Sequence, residues 1–187
     1  MAVVGCGSSD DKAREAAAAE ALEATKTPPT EPTTAPAEPQ DTRPKTGGTM
    51  NLTISGKSAP KGTDACVAVS AHNFKAIVSM QYSIKWDPKV LKFKDFQGFN
   101  LPQLSAENFG RHLLDKGLLT HSWFDANVKG ISRSDGDALY EICFETVGAP
   151  GSKSAVQIIN APTTIEIANV NSEFLTLETI PGTVLVK

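Results

Sequence analysis

The chain has 187 residues, of which 40% are hydrophobic and 21% charged, and its formal net charge is −3 at pH 7. Residues 1–48 hold eight of the 21 acidic and five of the 18 basic residues, so residues 49–187 carry no formal net charge. A neutral domain has no long-range field that attracts phosphate groups, and we therefore expect no nucleic-acid partner.

The aromatic residues divide the chain at the same place. All of them follow residue 73, and six of the 12 prolines lie between Pro28 and Pro44. A segment without large apolar side chains buries too little surface to offset its ordering entropy. We expect residues 1–48 to lie outside the fold and residues 49–187 to form one domain, which excludes a two-domain enzyme with an interdomain cleft.

The first residues predict a lipid anchor. Val4-Gly5-Cys6 resembles the end of a bacterial lipoprotein signal, and the Ser-Ser-Asp-Asp that follows resembles the surface-export signal of Bacteroidetes lipoproteins. The resemblance implies lipidation of Cys6 and a location at the bacterial outer membrane or cell surface. Residues 1–5 do not contain the apolar stretch of a full signal. An ordinary thiol at Cys6 therefore stays open as the alternative.

The rest of the tail predicts a spacer. Residues 12–26 are alanine-rich with one large apolar residue, Leu22, so they predict a helix that is marginal in water. Residues 27–48 are rich in Pro and Thr, which is typical of an extended linker. We expect residues 1–48 to hold the domain away from a surface. A tail without a role is the alternative.

From residue 49 onward the apolar pattern has period two, which predicts an all-β sandwich. Turn sequences rich in Pro, Gly and Asp separate the predicted strands. The predicted strands are 50–55, 65–71, 77–86, 91–96, 118–124, 138–147, 155–159, 164–167 and 183–186. Residues 100–116 are ambiguous between a helical turn and an edge strand at 109–114.

Alternation along the predicted strands assigns their two faces. In strand 77–86 the inward set is apolar and the outward set is polar, the latter being Ser79, Gln81, Ser83 and Lys85. In strand 138–147 the inward set is Tyr140, Ile142 and Phe144, and the outward set includes Leu139 and Cys143. Cys66 also falls on an outward phase. His121 falls on an inward phase, where a hydrogen-bonded core residue is expected rather than a catalytic one.

Several segments, taken in order, resemble the cohesin-like domains of bacterial scaffoldins and surface proteins. Residues 80–91, with sequence MQYSIKWDPKVL, are similar to the alternating strand and aromatic-Asp-Pro-x-Val-Leu of that family. Residues 135–151 are similar to a later segment, and residues 182–186 to the closing strand. Ser-Trp-Phe-Asp and Glu-Ile-Cys-Phe, at 122–125 and 141–144, resemble the cohesin-like repeats of Bacteroidetes surface proteins. The resemblance implies a nine-stranded jelly-roll sandwich over about residues 50–187.

The family topology implies a disulfide. It makes strands 65–71 and 138–147 antiparallel neighbours, so that Cys66 and Cys143 project from the same outer face. Cross-strand Cβ atoms on such a face lie about 4.5–5.5 Å apart, which suits a disulfide. The resemblance therefore implies a Cys66–Cys143 bond and leaves Cys6 for the lipid. Two free thiols are the alternative.

The resemblance also implies a partner-binding face, because cohesins bind a dockerin on the sheet in which strand 77–86 is central. Carried over to this sequence, the face consists of Ser79, Gln81, Ser83, Lys85, Leu118, Thr120, Ser122, Phe124 and Gln157. Residues 1–187 include no repeated module, cellulose-binding domain or dockerin. The sequence thus leaves open whether the protein partner is dockerin-like or another surface protein, and a solvated sheet surface is the alternative.

The two resemblances together imply a non-catalytic module for protein–protein interaction or assembly at the cell surface. The three histidines stand apart from Cys and acidic residues at metal-ligand spacing, and no Gly-x-Ser-x-Gly occurs. We expect no metal, no cofactor and no enzymatic activity. A carbohydrate-binding module of the same architecture is the rival, with a structural subunit of a surface assembly as a third possibility. A sugar platform would have mainly Phe96, Phe99 or Phe124, because both Trp and both Tyr fall on inward phases.

Overall fold

The computed structural model describes Met1 and residues 42–187. By its contacts the chain divides into two units, Met1–Ala37 and Glu38–Lys187, and the strands lie in the second. The predicted lipidation site Cys6, the predicted helix 12–26 and residues 27–41 of the spacer lie outside the described residues. In the part of the chain that the structure describes, no helix is both long and apolar enough to cross a membrane.

Residues 42–187 form twelve strands, which confirms the prediction of an all-β sandwich. In chain order these are β1 (Thr49–Ile54), β2 (Lys57–Ala59), β3 (Asp64–His72), β4 (Ile77–Lys85), β5 (Leu91–Gln97), β6 (Phe109–Gly110), β7 (Leu118–Phe124), β8 (Ala138–Thr146), β9 (Lys153–Ile159), β10 (Glu166–Asn169), β11 (Thr176–Ile180) and β12 (Gly182–Val186). The predicted count of nine is too low, because β2, β6 and β11 are additional. The ambiguous segment 100–116 contains β6 and two 3-10 turns, Ala106–Asn108 and Leu114–Lys116.

The strands form two packed sheets. One has the order β11-β1-β3-β8-β5, and the other has the order β2-β12-β9-β4-β7-β6. β10 also belongs to the second sheet and pairs with β4. Because β7 pairs along β4 from residue 79 to 85, β9 and β10 share its other edge, with β10 beside residues 77–81 and β9 beside residues 83–85. β4 is therefore the central strand of the seven-stranded sheet.

The core lies between the inner faces of the two sheets. The largest of its fully buried side chains are Trp123, Tyr82, Tyr140, Phe74 and Phe144. Trp86 is also buried, and its indole N–H donates to the Leu91 carbonyl oxygen at 2.9 Å. Burial of this apolar surface contributes about 25 cal/mol per Å², which makes it the main stabilising term of the sandwich.

A bulge in β8 changes the direction of one side chain. Val69 of β3 lies opposite Tyr140, but Ser70 lies opposite Ala138, so Leu139 is an extra residue in β8. Leu139 is fully buried. The predicted outward orientation of Leu139 is wrong, because the bulge interrupts the strict alternation that the prediction assumed.

Candidate functional site

The outer side of the seven-stranded sheet presents four rows of side chains that run across β4. Each row takes its first residue from β7, its second from β4 and its third from β10 or β9. The rows are Phe124–Ser79–Ala168, Ser122–Gln81–Glu166, Thr120–Ser83–Ile159 and Leu118–Lys85–Gln157. These twelve residues are called the central face below. Neighbours within a row lie close enough for their side chains to act as one surface.

All nine residues of the predicted partner-binding face lie in these rows. The exposed ones are Lys85, Ser122 and Phe124. Five others are half-buried, namely Ser79, Gln81, Leu118, Thr120 and Gln157. The antiparallel register of β4 with β7 therefore brings residues that are about 40 positions apart together on one side of the sheet.

Ser83 is the exception, because it is fully buried. Its Oγ accepts the Thr163 backbone N–H at 2.9 Å, and the segment between β9 and β10 is thereby held against this position. The structure agrees with the predicted outward phase of Ser83, but a loop from 80 residues further along the chain covers it.

The sequence prediction missed three members of the central face, Ile159, Glu166 and Ala168. Strand 164–167 was predicted, but nothing in a single sequence indicates which strand it pairs with. In the structure Glu166 lies opposite Gln81 and Ala168 lies opposite Ser79. The face therefore includes a carboxylate beside its central glutamine.

Phe124 forms the apolar end of the central face, with 63% of its surface exposed. The next residue, Asp125, is buried, and its carboxylate accepts the backbone N–H groups of Asn127, Lys129 and Gly130 at 2.9–3.0 Å. The Asp125 N–H donates to the Val78 carbonyl oxygen at 2.7 Å. The loop after β7 is thus fixed to β4, and Phe124 is displayed from a rigid strand end.

Residues 43–48 are attached to the domain beside this face. Arg43 forms an ion pair with Glu166, and its guanidinium lies 3.8 Å from the centre of the Phe174 ring. The Gly47 N–H donates to the Phe174 carbonyl oxygen, and the Thr176 N–H donates to the Gly48 carbonyl oxygen, at 2.9 and 2.8 Å. The chain that precedes β1 therefore runs past the Glu166 side of the central face.

His121 lies on the inner side of β7, directly beneath the central face. Its ring stacks on Tyr82 with centroids 4.6 Å apart, and Phe109 contacts it edge-on at 4.6 Å. Burial lowers the pKa of His121 to about 3, so the ring is neutral. The core location was predicted, but the expected hydrogen bond is absent: neither ring nitrogen has a partner among the described residues.

The other histidines do not form a site with His121. Within residues 42–187, no group of three or more His, Cys, Asp or Glu side chains is placed to hold a metal ion. His72 is half-buried on β3, and His112 is exposed after β6.

The sequence model of the cohesin domain matches residues 50–172. This chain belongs to the cohesin family. The match extends from β1 past β10. It therefore includes all twelve residues of the central face and the four strands that carry them, β4, β7, β9 and β10. No curated protein sequence matches this cohesin.

Solved cohesin structures share the fold of this cohesin. A type I cohesin–dockerin complex from Clostridium thermocellum matches with a TM-score of 0.63 at 17% identity, over 74% of this chain and 99% of that one. The seventh ScaB type I cohesin from Pseudobacteroides cellulosolvens matches with 0.62 at 16% identity, over 75% and 93%. A non-cellulosomal cohesin from Archaeoglobus fulgidus matches with 0.59 at 23% identity, over 74% and 91%. At these identities the likeness concerns the fold.

This cohesin contains the disulfide Cys66–Cys143, with an S–S distance of 2.05 Å. The two residues lie directly opposite each other on β3 and β8, as the family topology implied. The bond lies in the five-stranded sheet, away from the central face, and Cys143 is buried. The bond therefore joins the neighbouring strands β3 and β8 of that sheet.

Proposed function

We propose that this cohesin is a non-catalytic module for protein–protein interaction or assembly, and that it binds a dockerin-like protein through the central face. The observation that carries the proposal is the sheet register, which places the predicted partner-binding residues in adjacent rows of a chain that belongs to the cohesin family. Cohesins in several of the similar structures are complexed with dockerins.

The composition of the central face supports this proposal. Its rows are mostly polar and half-buried, and Phe124 supplies an exposed aromatic group at one end. Protein interfaces are typically of this kind, with aromatic anchors in a polar surround. The rigid attachment of β7 to β4 also means that little ordering entropy is lost when a partner binds.

A sugar ligand is less well supported. A carbohydrate platform needs exposed planar rings, but both tryptophans and both tyrosines lie within residues 42–187 and are at most 3% exposed. Of the three phenylalanines that a sugar platform would use, Phe96 is buried, and Phe99 and Phe124 are exposed. These observations favour a protein partner over a polysaccharide.

The proposal extends to the location of the protein. We propose that Cys6 carries a lipid anchor and that residues 1–48 tether the binding domain 49–187 to the bacterial outer membrane or cell surface. The lipoprotein-like Val4-Gly5-Cys6 and the Pro-rich spacer support it. Mass spectrometry of the N-terminal peptide from the native protein tests it. A mass that includes a diacylglyceryl group on Cys6 is expected, and an unmodified thiol would contradict the anchor.

Titration calorimetry with a panel of purified dockerin modules tests the binding function. We expect Phe124→Ala and Gln81→Arg each to lower the affinity by at least about tenfold, or about 1.4 kcal/mol. Ile180→Ala is the matched control for Phe124, because Ile180 is 59% exposed but lies on β11 of the other sheet. Gln97→Arg is the matched control for Gln81→Arg, because Gln97 lies on β5 of the other sheet. Equal losses in variants and controls, or no loss in either, would contradict the assignment of the face.

A further inference from the structure

Three lysines surround a pocket at one end of the central face. Lys85 on β4, Lys116 in the 3-10 turn before β7 and Lys153 at the start of β9 line a pocket of about 370 Å³. All three side chains are exposed. Gln157 of the central face lines the same pocket, so the pocket is continuous with the proposed interface.

Gly117 brings Lys116 to this position. Its φ of +67° is in the left-handed region, and a Cβ at this residue would lie 2.3 Å from the Trp86 carbonyl oxygen. The Trp86 N–H donates to the Gly117 carbonyl oxygen at 2.9 Å. The turn is thus pressed against the end of β4, and the backbone fixes Lys116 beside Lys85.

The positive charge of the pocket is not balanced within the domain. Among the described residues, no carboxylate forms an ion pair with any of the three lysines. Asp87 is the acidic residue that lines the pocket, and its carboxylate already accepts the Lys89 N–H at 2.8 Å in the turn after β4. The lining of the pocket therefore includes three lysines and one aspartate, and this excess of positive charge attracts an anion.

We propose that the lysine pocket binds a carboxylate of the protein partner, supplied by an aspartate or glutamate side chain. This inference rests on the proposed function, because the pocket extends the Leu118–Lys85–Gln157 row of the central face. The partner would then contribute an apolar group that packs on Phe124 and an acidic group that binds at the opposite end of the central face.

The spacing along β4 gives the separation of these two groups. Phe124 lies opposite Ser79, and Lys85 lies six residues further along the strand, or about 20 Å away. On a helix that lies along β7, beside the loop that covers Ser83, about 20 Å corresponds to about 13 residues. A partner helix is therefore expected to carry its apolar and acidic contact residues about 13 positions apart.

The test uses a small probe, acetyl-Glu-Glu-amide, and the lysine side-chain resonances of the full chain in NMR titrations. Acetyl-Gln-Gln-amide is the uncharged control. We expect saturable shifts of Lys85, Lys116 and Lys153 with the first peptide, reduced several-fold when NaCl is raised from about 50 to about 300 mM. A variant with Lys85→Gln, Lys116→Gln and Lys153→Gln is expected to bind at least about tenfold more weakly.

A matched variant carries Lys61→Gln, Lys75→Gln and Lys92→Gln, three exposed lysines outside the pocket. It changes the net charge equally and is expected to bind the acidic peptide as the original chain does. Equal weakening in both variants, equal shifts at all lysines or no shift at all would overturn the proposal. A tighter response to inorganic phosphate than to the peptide would also overturn it.

The same variants separate this inference from the proposed function. If a dockerin module binds and loses affinity with Phe124→Ala but not with the pocket variant, the central face stands and the lysine pocket is rejected. If no dockerin module binds while the acidic peptide saturates the pocket, the dockerin partner is rejected and the carboxylate site stands.

Discussion

The hydroxyl groups of Tyr82 and Tyr140 meet between the two sheets, with their oxygens 2.7 Å apart. Tyr82 belongs to β4 and Tyr140 to β8, and both side chains are fully buried. Burial raises the pKa of each hydroxyl well above its ordinary value. Both groups therefore stay protonated, and each is the other's hydrogen-bond partner in the middle of an apolar core.

Removing one of these hydroxyls leaves the other without its partner. We expect Tyr82→Phe and Tyr140→Phe each to lower the free energy of unfolding by about 1–2 kcal/mol, because a buried hydroxyl is then left unpaired. The double variant is expected to lose less than the sum of the single variants. Urea unfolding of the four proteins measures this coupling. Additive losses would show that the pair does not interact.

Buried His121 makes stability depend on pH. Its pKa is about 3 in the folded chain and about 6.5 when unfolded, so between these values the unfolded state binds more protons. The free energy of unfolding is therefore expected to fall as the pH falls from 6.5 toward 3, by about 2 kcal/mol at pH 5 from this group alone. Urea unfolding at pH 7.5 and pH 5 measures the change.

His121→Phe is the control, since a phenyl ring suits the aromatic surroundings and does not titrate. The exposed carboxylates contribute equally to the pH dependence of the unfolding free energy in both proteins. The difference between the two proteins therefore gives the contribution of His121 alone. If both proteins lose the same stability between pH 7.5 and pH 5, the folded chain accommodates the proton and the assignment of a neutral buried ring is wrong.

The disulfide is expected to stabilise the fold without affecting the central face. Cys66 and Cys143 are 77 positions apart, so the bond closes a long loop in the unfolded chain. We expect the double variant Cys66→Ala/Cys143→Ala to lose about 2–4 kcal/mol of unfolding free energy. Its affinity for a dockerin module is expected to stay the same at a temperature at which it is folded. A loss of affinity at that temperature would show that the disulfide in the five-stranded sheet affects binding at the central face.

Asp125 is expected to be important for the loop that follows Phe124. Asp125→Ala leaves three backbone N–H groups without their acceptor and is expected to cost about 2–4 kcal/mol in thermal or urea unfolding. Asp125→Asn keeps one acceptor oxygen and is expected to cost less. Asp135→Ala is the comparison, because Asp135 accepts one exposed N–H, from Asn73. Equal costs at both positions would mean that the buried contacts of Asp125 add nothing.

Sequence alternation predicted the strands that bury one face only. β7 has the predicted bounds, and β4 differs from its prediction by one residue, because polar and apolar side chains alternate along both. The resemblance to the cohesins then implied that the nine predicted residues share one side of a sheet. Strands without the pattern were missed or left ambiguous. β2, of three residues, and β11, exposed along most of its length, were missed. β6, of two residues, lies in the segment that the sequence left ambiguous.

The remaining errors concern contacts between distant parts of the chain. Ser83 is buried by Thr163, and Glu166 reaches the central face through the pairing of β10 with β4. Leu139 turns inward at a bulge that depends on β3. The rings around His121 come from three other strands, and they leave its nitrogens without donors or acceptors. Periodicity within one strand contains no information about any of these neighbours.

The position of β1 between β11 and β3 bears on how the domain would resist a mechanical load. A pull on the chain at Gly48, directed along β1, acts on a strand that is hydrogen-bonded on both sides, to β11 in parallel and to β3 in antiparallel register. Ladder hydrogen bonds lie across the strand direction, so such a pull shears them together instead of opening them one by one. β3 is in turn covalently joined to β8 by the disulfide. Tension applied to the chain that precedes β1 would thus enter the sandwich at a strand that resists extraction.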